Sequence, residues 1–306
     1  MVPTIGSALT EAYRKMKEVL FQPFNWSIWV SLTLGMWLAG LGEGGFRANI
    51  NISKSLFRRK YGTFRGLSGI LEPFADELGT SVSVLLISIA VVLFVVFVVL
   101  GFLMLWIRCR SRFIVLDMLV RGAAAEPFGV RWSRFRCHGN SLFLTLLLLG
   151  VLLVLCIGGA LLLVVLLLIA LSESCGGGLS AVFPLVVVCG MLVLLFAAAL
   201  AAYSLLLLDY CSLLMYRTGC SGMEAWRMYN RKLLERPGVF FRYCIGLVVI
   251  ALLIAAVALL LSCATCCIGL VLLLLPFVST MILLPVLYIR WQYTLEFFDH
   301  PEMLNR

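Results

Sequence analysis

The sequence predicts an all-α fold: a polytopic helical membrane protein of about six transmembrane helices, each pair entered through an interfacial amphipathic helix. Three observations predict it. Hydrophobic residues fill 63% of the 306 positions and charged residues only 13%, with a mean hydropathy of +1.09, a balance that suits lipid and not water as the solvent. Uncharged windows long enough to cross about 30 Å of hydrocarbon, which takes ~20 helical residues, recur along the chain. Within them Leu, Val and Ile run continuously, whereas a membrane barrel would alternate polar and apolar residues along ~10-residue strands.

Taken in order, the expected spans are 24–42, 80–107, 141–171, 180–208, 240–262 and 268–289, in one integral membrane domain covering 1–306. The first ~20 residues carry Glu11, Arg14, Lys15, Lys17 and Glu18 with no apolar core before a small-residue cleavage site, so no removable signal peptide is expected and the first span stays. Pro276 and Pro285 fall in the sixth span, where the missing amide predicts a kink and freed carbonyls. Gly150, Gly158, Gly159 and the alanines at 197–199, 201 and 202 offer surfaces for close helix packing.

The formal net charge of +9 is explained by where the charges stand. With both termini cytoplasmic, eighteen Lys and Arg residues lie inside and six, all in the loop 47–65, lie outside. That is the positive-inside bias of an inner-membrane protein, and it removes the need for a nucleic-acid partner.

The approaches to the membrane share a plan. "EAYRKMKEVLFQPFNW" (11–26) and "EAWRMYNRKLLERPGVFF" (224–241) both read Glu-Ala-aromatic-Arg, a basic turn and a proline before the apolar run, with a shorter echo in "GVRWSRFRCHGNSLF" (129–143). In the first, Leu9, Ala12, Tyr13, Met16, Val19 and Leu20 recur every three or four residues, opposite Arg14, Lys15 and Lys17. Such helices are expected to lie on the inner leaflet, with Arg14, Lys15, Lys17, Arg131, Arg134, Arg227, Arg231 and Lys232 toward anionic lipid headgroups. "WIRCRSRFIVLD" (106–117) likewise echoes "YIRWQYTLEFFD" (288–299), placing Arg108 with Arg290 and Asp117 with Asp299. Three repeats, each an interfacial helix feeding a hairpin, account for these likenesses; the alternative is that anchoring residues alone produce them. Trp26, Trp29, Trp106, Trp132, Trp226 and Trp291 lie at span ends, where indoles favour the headgroup layer.

"SRFIVLDMLVRG…PFGVRWSRFRCHGNSLF", "SLLMYRTGCSGMEAWRMYNRKLLERPGVFFRY", "CATCCIGLVLLLLPFVSTMILLPVLYIRWQY" and the "LGEGG" after the first span resemble a family of bacterial polytopic membrane proteins described as a domain of unknown function. More distantly, they resemble the membrane domain attached to some glycerophosphodiester phosphodiesterases, whose catalytic domain has no counterpart here. The resemblance implies a helical inner-membrane protein and supplies no catalytic residues. The basic loop 47–65 departs from the family's pattern.

The residues point to little chemistry. No Asp, Glu, Lys or Arg lies inside the uncharged stretches 24–42, 78–107, 137–172, 174–208 and 243–289, so the usual mark of a pump or proton relay is missing; Asp117 and Asp209 sit at span margins, where arginines or water are the expected partners. Two histidines, His138 and His300, are too few for a metal-dependent hydrolase or a serine protease. "GLSG" (66–69) imitates an intramembrane-protease motif but stands in a polar loop. No cofactor and no metal is expected. Cys263, Cys266 and Cys267 in "LLLSCATCCIG" would form an outer turn, with Cys175 on the same side. Three readings of that turn stand, in descending order: small apolar thiols, a disulfide involving Cys175, and metal or redox work. The favoured function is a non-enzymatic membrane scaffold holding anionic lipid or a membrane-protein partner; the alternative is a subunit of a transporter or lipid-handling system.

Overall fold

The computed structural model describes residues 4–41, 82–174, 179–264, 275–299 and 303. Among them the regular structure is entirely helical. In chain order the helices are α1 (Ile5–Phe21), α2 (Trp26–Ala39), α3 (Val82–Arg121), α4 (Phe128–Arg134), α5 (Arg136–Ser174), α6 (Leu179–Thr218), α7 (Gly222–Glu235), α8 (Pro237–Ala264), α9 (Pro276–Ile282) and α10 (Leu284–Phe298). A short helix stands directly before a long one twice along this order, at α4 and α7.

Local chemistry sets the boundaries. The Thr4 hydroxyl accepts from the Ser7 amide (3.3 Å) and Asn25 accepts from Ser27 (2.9 Å), each satisfying an amide that has no partner within its helix. At the start of α7, Ser221 and Glu224 form a reciprocal capping box. α3 and α6 give way to left-handed glycines, Gly122 (φ +94°) and Gly219 (φ +68°), a conformation glycine adopts without a Cβ clash. α9 begins on Pro276, where the missing amide costs nothing. Pro285 cannot donate to Met281, and the helix breaks at Leu283 between α9 and α10. The kink expected in the sixth window is therefore present.

α3, α5, α6 and α8 are long and apolar enough to cross a membrane. α2 is a shorter apolar helix of 14 residues, about 21 Å at 1.5 Å per residue, so the window 24–42 is only partly helical. Of the sixth window, the described part is the broken pair α9 and α10, and residues 268–274 lie outside the described residues. The loop 47–65 also lies outside them.

The long helices change character along their length. In α3 the six consecutive residues Val91–Val96 are all exposed. At 100° per residue they cover every face, so this half of the helix is apolar all round with none of the described residues covering it. Further along, Cys109 to Met118 are buried. The helix runs unbroken through Arg108, Arg110, Arg112 and Asp117, past the point where its uncharged window ends. α6 repeats the pattern, with Leu192, Leu194 and Leu195 exposed and Leu207 to Met215 buried.

The chain divides into two compact units. One comprises Met1–Ala12, Asn140–Val248 and Trp291–Arg306, the other Tyr13–Gly139 and Val249–Arg290. In the second unit α2 packs on the buried end of α3, close enough that a Cβ on Gly35 would stand 3.3 Å from Val115 Cγ2, and Trp37 meets Phe277 of α9 edge-on at 6.0 Å. In the first, α7 seats its start on α5: the Gly222 amide donates to Ser141 Oγ (2.8 Å), and a Cβ on Gly222 would reach to 2.8 Å from the Ser141 carbonyl oxygen.

Candidate functional site

The polar side chains gather at the buried ends of the long helices. In the unit Tyr13–Gly139 with Val249–Arg290, the centre is Asp117, fully buried on α3. It pairs with Arg121 one turn on (3.2 Å) and with the fully buried Arg131 of α4 (3.4 Å), whose Nη2 also donates to the Gly122 carbonyl (2.6 Å). The left-handed glycine thus exposes a carbonyl that the same arginine closes. On the rim, Arg134 binds Glu126 (2.6 Å), and that hydrogen bond holds the Glu126 carboxyl below the usual carboxylate range.

One turn before Cys109, Trp106 meets Trp132 of α4 edge-on at 6.0 Å. The Arg110 guanidinium lies over both rings, 4.5 Å from the Trp132 centroid and 5.5 Å from that of Trp106. Its Nε donates to the Trp132 carbonyl (2.7 Å), and Nη2 donates to the same oxygen, so a carbonyl at the end of α4 gains the partners its helix cannot supply. α5 enters against this assembly at Gly139, where an added Cβ would lie 3.0 Å from Arg110 Cα. A planar fork that stacks and donates twice is specific to arginine. Arg110→Lys is expected to lower stability by about 2 kcal/mol, read as a fall in the thermal midpoint in detergent, while a Lys at the exposed Arg227 leaves the midpoint unchanged.

In the unit Met1–Ala12, Asn140–Val248 and Trp291–Arg306, aromatic rings replace arginines. Tyr243 donates to buried Asp209 (3.0 Å), bonds Thr294 (2.9 Å), and stacks on Tyr293 at 5.5 Å and 6°. Tyr203 joins α6 to α7, accepting from Trp226 (2.8 Å) and donating to Asn230 (2.6 Å). Tyr210 donates to the Met303 carbonyl (2.6 Å), and Arg217 pairs with Asp299. On α7, donation from Arg231 holds the Glu235 carboxyl below its ordinary range.

The residues singled out in the sequence have several different placements. Trp26 is exposed, as a headgroup anchor would be; Trp106, Trp132 and Trp226 are part-buried and make the internal contacts above, and Trp291 is buried. Arg14, Lys17, Arg227 and Arg231 are exposed, and Lys15 and Lys232 are part-buried. Arg131 faces Asp117 and Arg134 faces Glu126, so neither is free for a headgroup. Asp117 has the arginine partners expected of it; the partner seen for Asp209 is a tyrosine hydroxyl. Cys263 is exposed and unbonded, while Cys175, Cys266 and Cys267 lie outside the described residues. Sequence reasoning missed Arg110, Tyr243 and Tyr293. The available signal was an Asp closing an apolar run in "VLD" (115–117), "LLD" (207–209) and "FFD" (297–299), near the packed parts of α3, α6 and α10.

These features define a helical protein with, among the described residues, four helices that are long and apolar enough to cross a bilayer, and with its buried ion pairs and stacked rings joining helices at their packed ends. The chain belongs to the family of unknown function DUF7544, whose model matches residues 5–297. No curated protein and no solved structure matches it.

Proposed function

We propose that this protein is a non-enzymatic scaffold of the inner membrane, with six spans in three repeats and both termini in the cytoplasm, holding anionic lipid or a membrane-protein partner at its cytoplasmic end. The observation that carries this reading is the division within single helices. α3 is apolar on every face at Val91–Val96 and buried and arginine-bearing from Cys109 onward, as suits a protein with lipid around one part and its working surface at the other. The short helices α4 and α7, each directly ahead of a long one, favour the repeat. So does the matching burial of Ala12 and Met16 with Ala225 and Tyr229 in the two Glu-Ala-aromatic-Arg segments. The arginine-rich joints favour a cytoplasmic location by the positive-inside bias. In this arrangement α1 and α7 bury one stripe in protein and leave the other for the headgroup layer. A transporter or lipid-handling subunit is the second reading, favoured by the break at Leu283.

Two measurements test the arrangement. A reporter fused after Arg306 is expected to be active only in the cytoplasm; activity only outside overturns the topology. A membrane-impermeant thiol reagent is expected to label Cys263 in intact spheroplasts and to leave buried Cys211 and Cys220 untouched; labelling of Cys263 only after the membrane is opened overturns the fifth span's direction. The scaffold itself is tested by mild-detergent purification: enrichment of anionic lipid or a stoichiometric partner is expected, and neither being retained overturns it.

A further inference from the structure

α7 buries Gly222, Ala225 and Tyr229 and turns Met223, Arg227, Arg231 and Leu234 outward. Those four lie within about 80° of one another on a 100°-per-residue helix, opposite the buried stripe. Leu234 is 84% exposed. A leucine so bare beside two arginines is out of place on a face meant for water, but it suits a boundary where apolar and charged groups are both satisfied. Exposed apolar residues resume past Pro237: on α8, Phe241, Ile245, Val248, Val249 and Leu252 are exposed in turn, in a helix that is long and apolar enough to cross the membrane. Between Gly222 and Arg242 five basic residues face two acidic ones, and Glu235 is already engaged by Arg231 (2.8 Å) and Lys232 (3.6 Å).

We propose that the outward face of α7 docks on the anionic phospholipid surface of the leaflet that α8 enters, with Met223 and Leu234 sunk among the headgroups and with Arg227, Arg242 and the Nη groups of the exposed Arg231, whose Nε alone meets Glu235, on phosphates. This rests on the membrane reading above and deepens it by naming the face and its partner. Within two turns of Leu234 the chain enters a helix with an exposed apolar surface that is long enough to cross a bilayer, and the excess charge is positive; both select a bilayer over a soluble acidic protein, which would need no such neighbour. Each arginine near such a surface contributes about fivefold to its occupancy.

The test uses the full chain with Leu234→Cys, reconstituted in nanodiscs of phosphatidylcholine alone or of equal parts phosphatidylcholine and phosphatidylglycerol, and follows the increment in thiol reactivity over the parent protein. Phosphatidylglycerol is expected to slow the reaction at position 234 severalfold, and either high salt or Arg227→Gln with Arg231→Gln to restore it. Equal rates in both nanodiscs overturn the docking. If the site is then protected only in native membranes, the face belongs to a protein partner, which also overturns it. The result separates from the broader reading through the reporter at Arg306, whose cytoplasmic activity stands whether or not position 234 responds to lipid.

Discussion

Asp117→Ala is expected to cost about 3–5 kcal/mol, because it strands Arg131 with no carboxylate in a fully buried position. The reverse truncation is expected to be milder. Arg131→Ala leaves Asp117 paired with Arg121 at 3.2 Å, and Arg121 is more than half exposed, so the remaining charge has both a partner and a path to water. Asp117→Asn should fall between the two, keeping a hydrogen-bond acceptor while losing the charge. Thermal unfolding in detergent of the three variants checks the order. Equal losses from Asp117→Ala and Arg131→Ala would show that the pair acts only through packing.

The second large effect is expected at Gly246. A Cβ built there collides with the ring and hydroxyl of Tyr293, and that ring cannot move aside because it lies flat on Tyr243, which is held in turn by Asp209 and Thr294. Gly246→Leu is therefore expected to lose about 3 kcal/mol or to fail to assemble, and Gly246→Ala to lose less. The companion substitution changes sign. The Tyr293 hydroxyl is buried with no hydrogen-bond partner among the described residues, so Tyr293→Phe should stabilise by about 1 kcal/mol and should partly rescue Gly246→Ala. A destabilised Tyr293→Phe would mean that the hydroxyl has a partner after all, such as an ordered water.

The same two places show what could be read from the residues and what could not. Unbroken runs of Leu, Val and Ile announce α3, α5, α6 and α8 because a helix that must satisfy its own backbone in lipid leaves no other solution. The ends of those helices were harder to find. The charges that close an uncharged window at Arg108 do not close the helix, which continues to Arg121, because a charge ends a window on a hydropathy scale but not a run of backbone hydrogen bonds. Arg131 looks like a headgroup ligand in sequence, since a basic residue at a span end has the same local setting whether it faces lipid or a buried acid. Its partner lies fourteen residues back across a turn, and only the positive φ of Gly122 brings the two together. The tryptophans pose the same ambiguity: Trp26 and Trp291 both flank apolar runs, yet one is exposed and the other buried. Gly246 carried no sequence signal, because a small residue in an apolar helix acquires meaning only from what is packed against it.

α3 and α6, at 40 residues each, measure about 60 Å, twice the depth of the hydrocarbon. Neither contains a break between its apolar and its packed half, so each is a rigid lever with no joint at the membrane surface. A tilt of about 10° at one end of such a rod displaces the other by about 10 Å, and helices adjust their tilt when bilayer thickness changes. In the membrane arrangement proposed above, the salt bridges and stacked rings at the packed ends stand at the far arm of that lever, with Asp117 on α3 and Asp209 on α6.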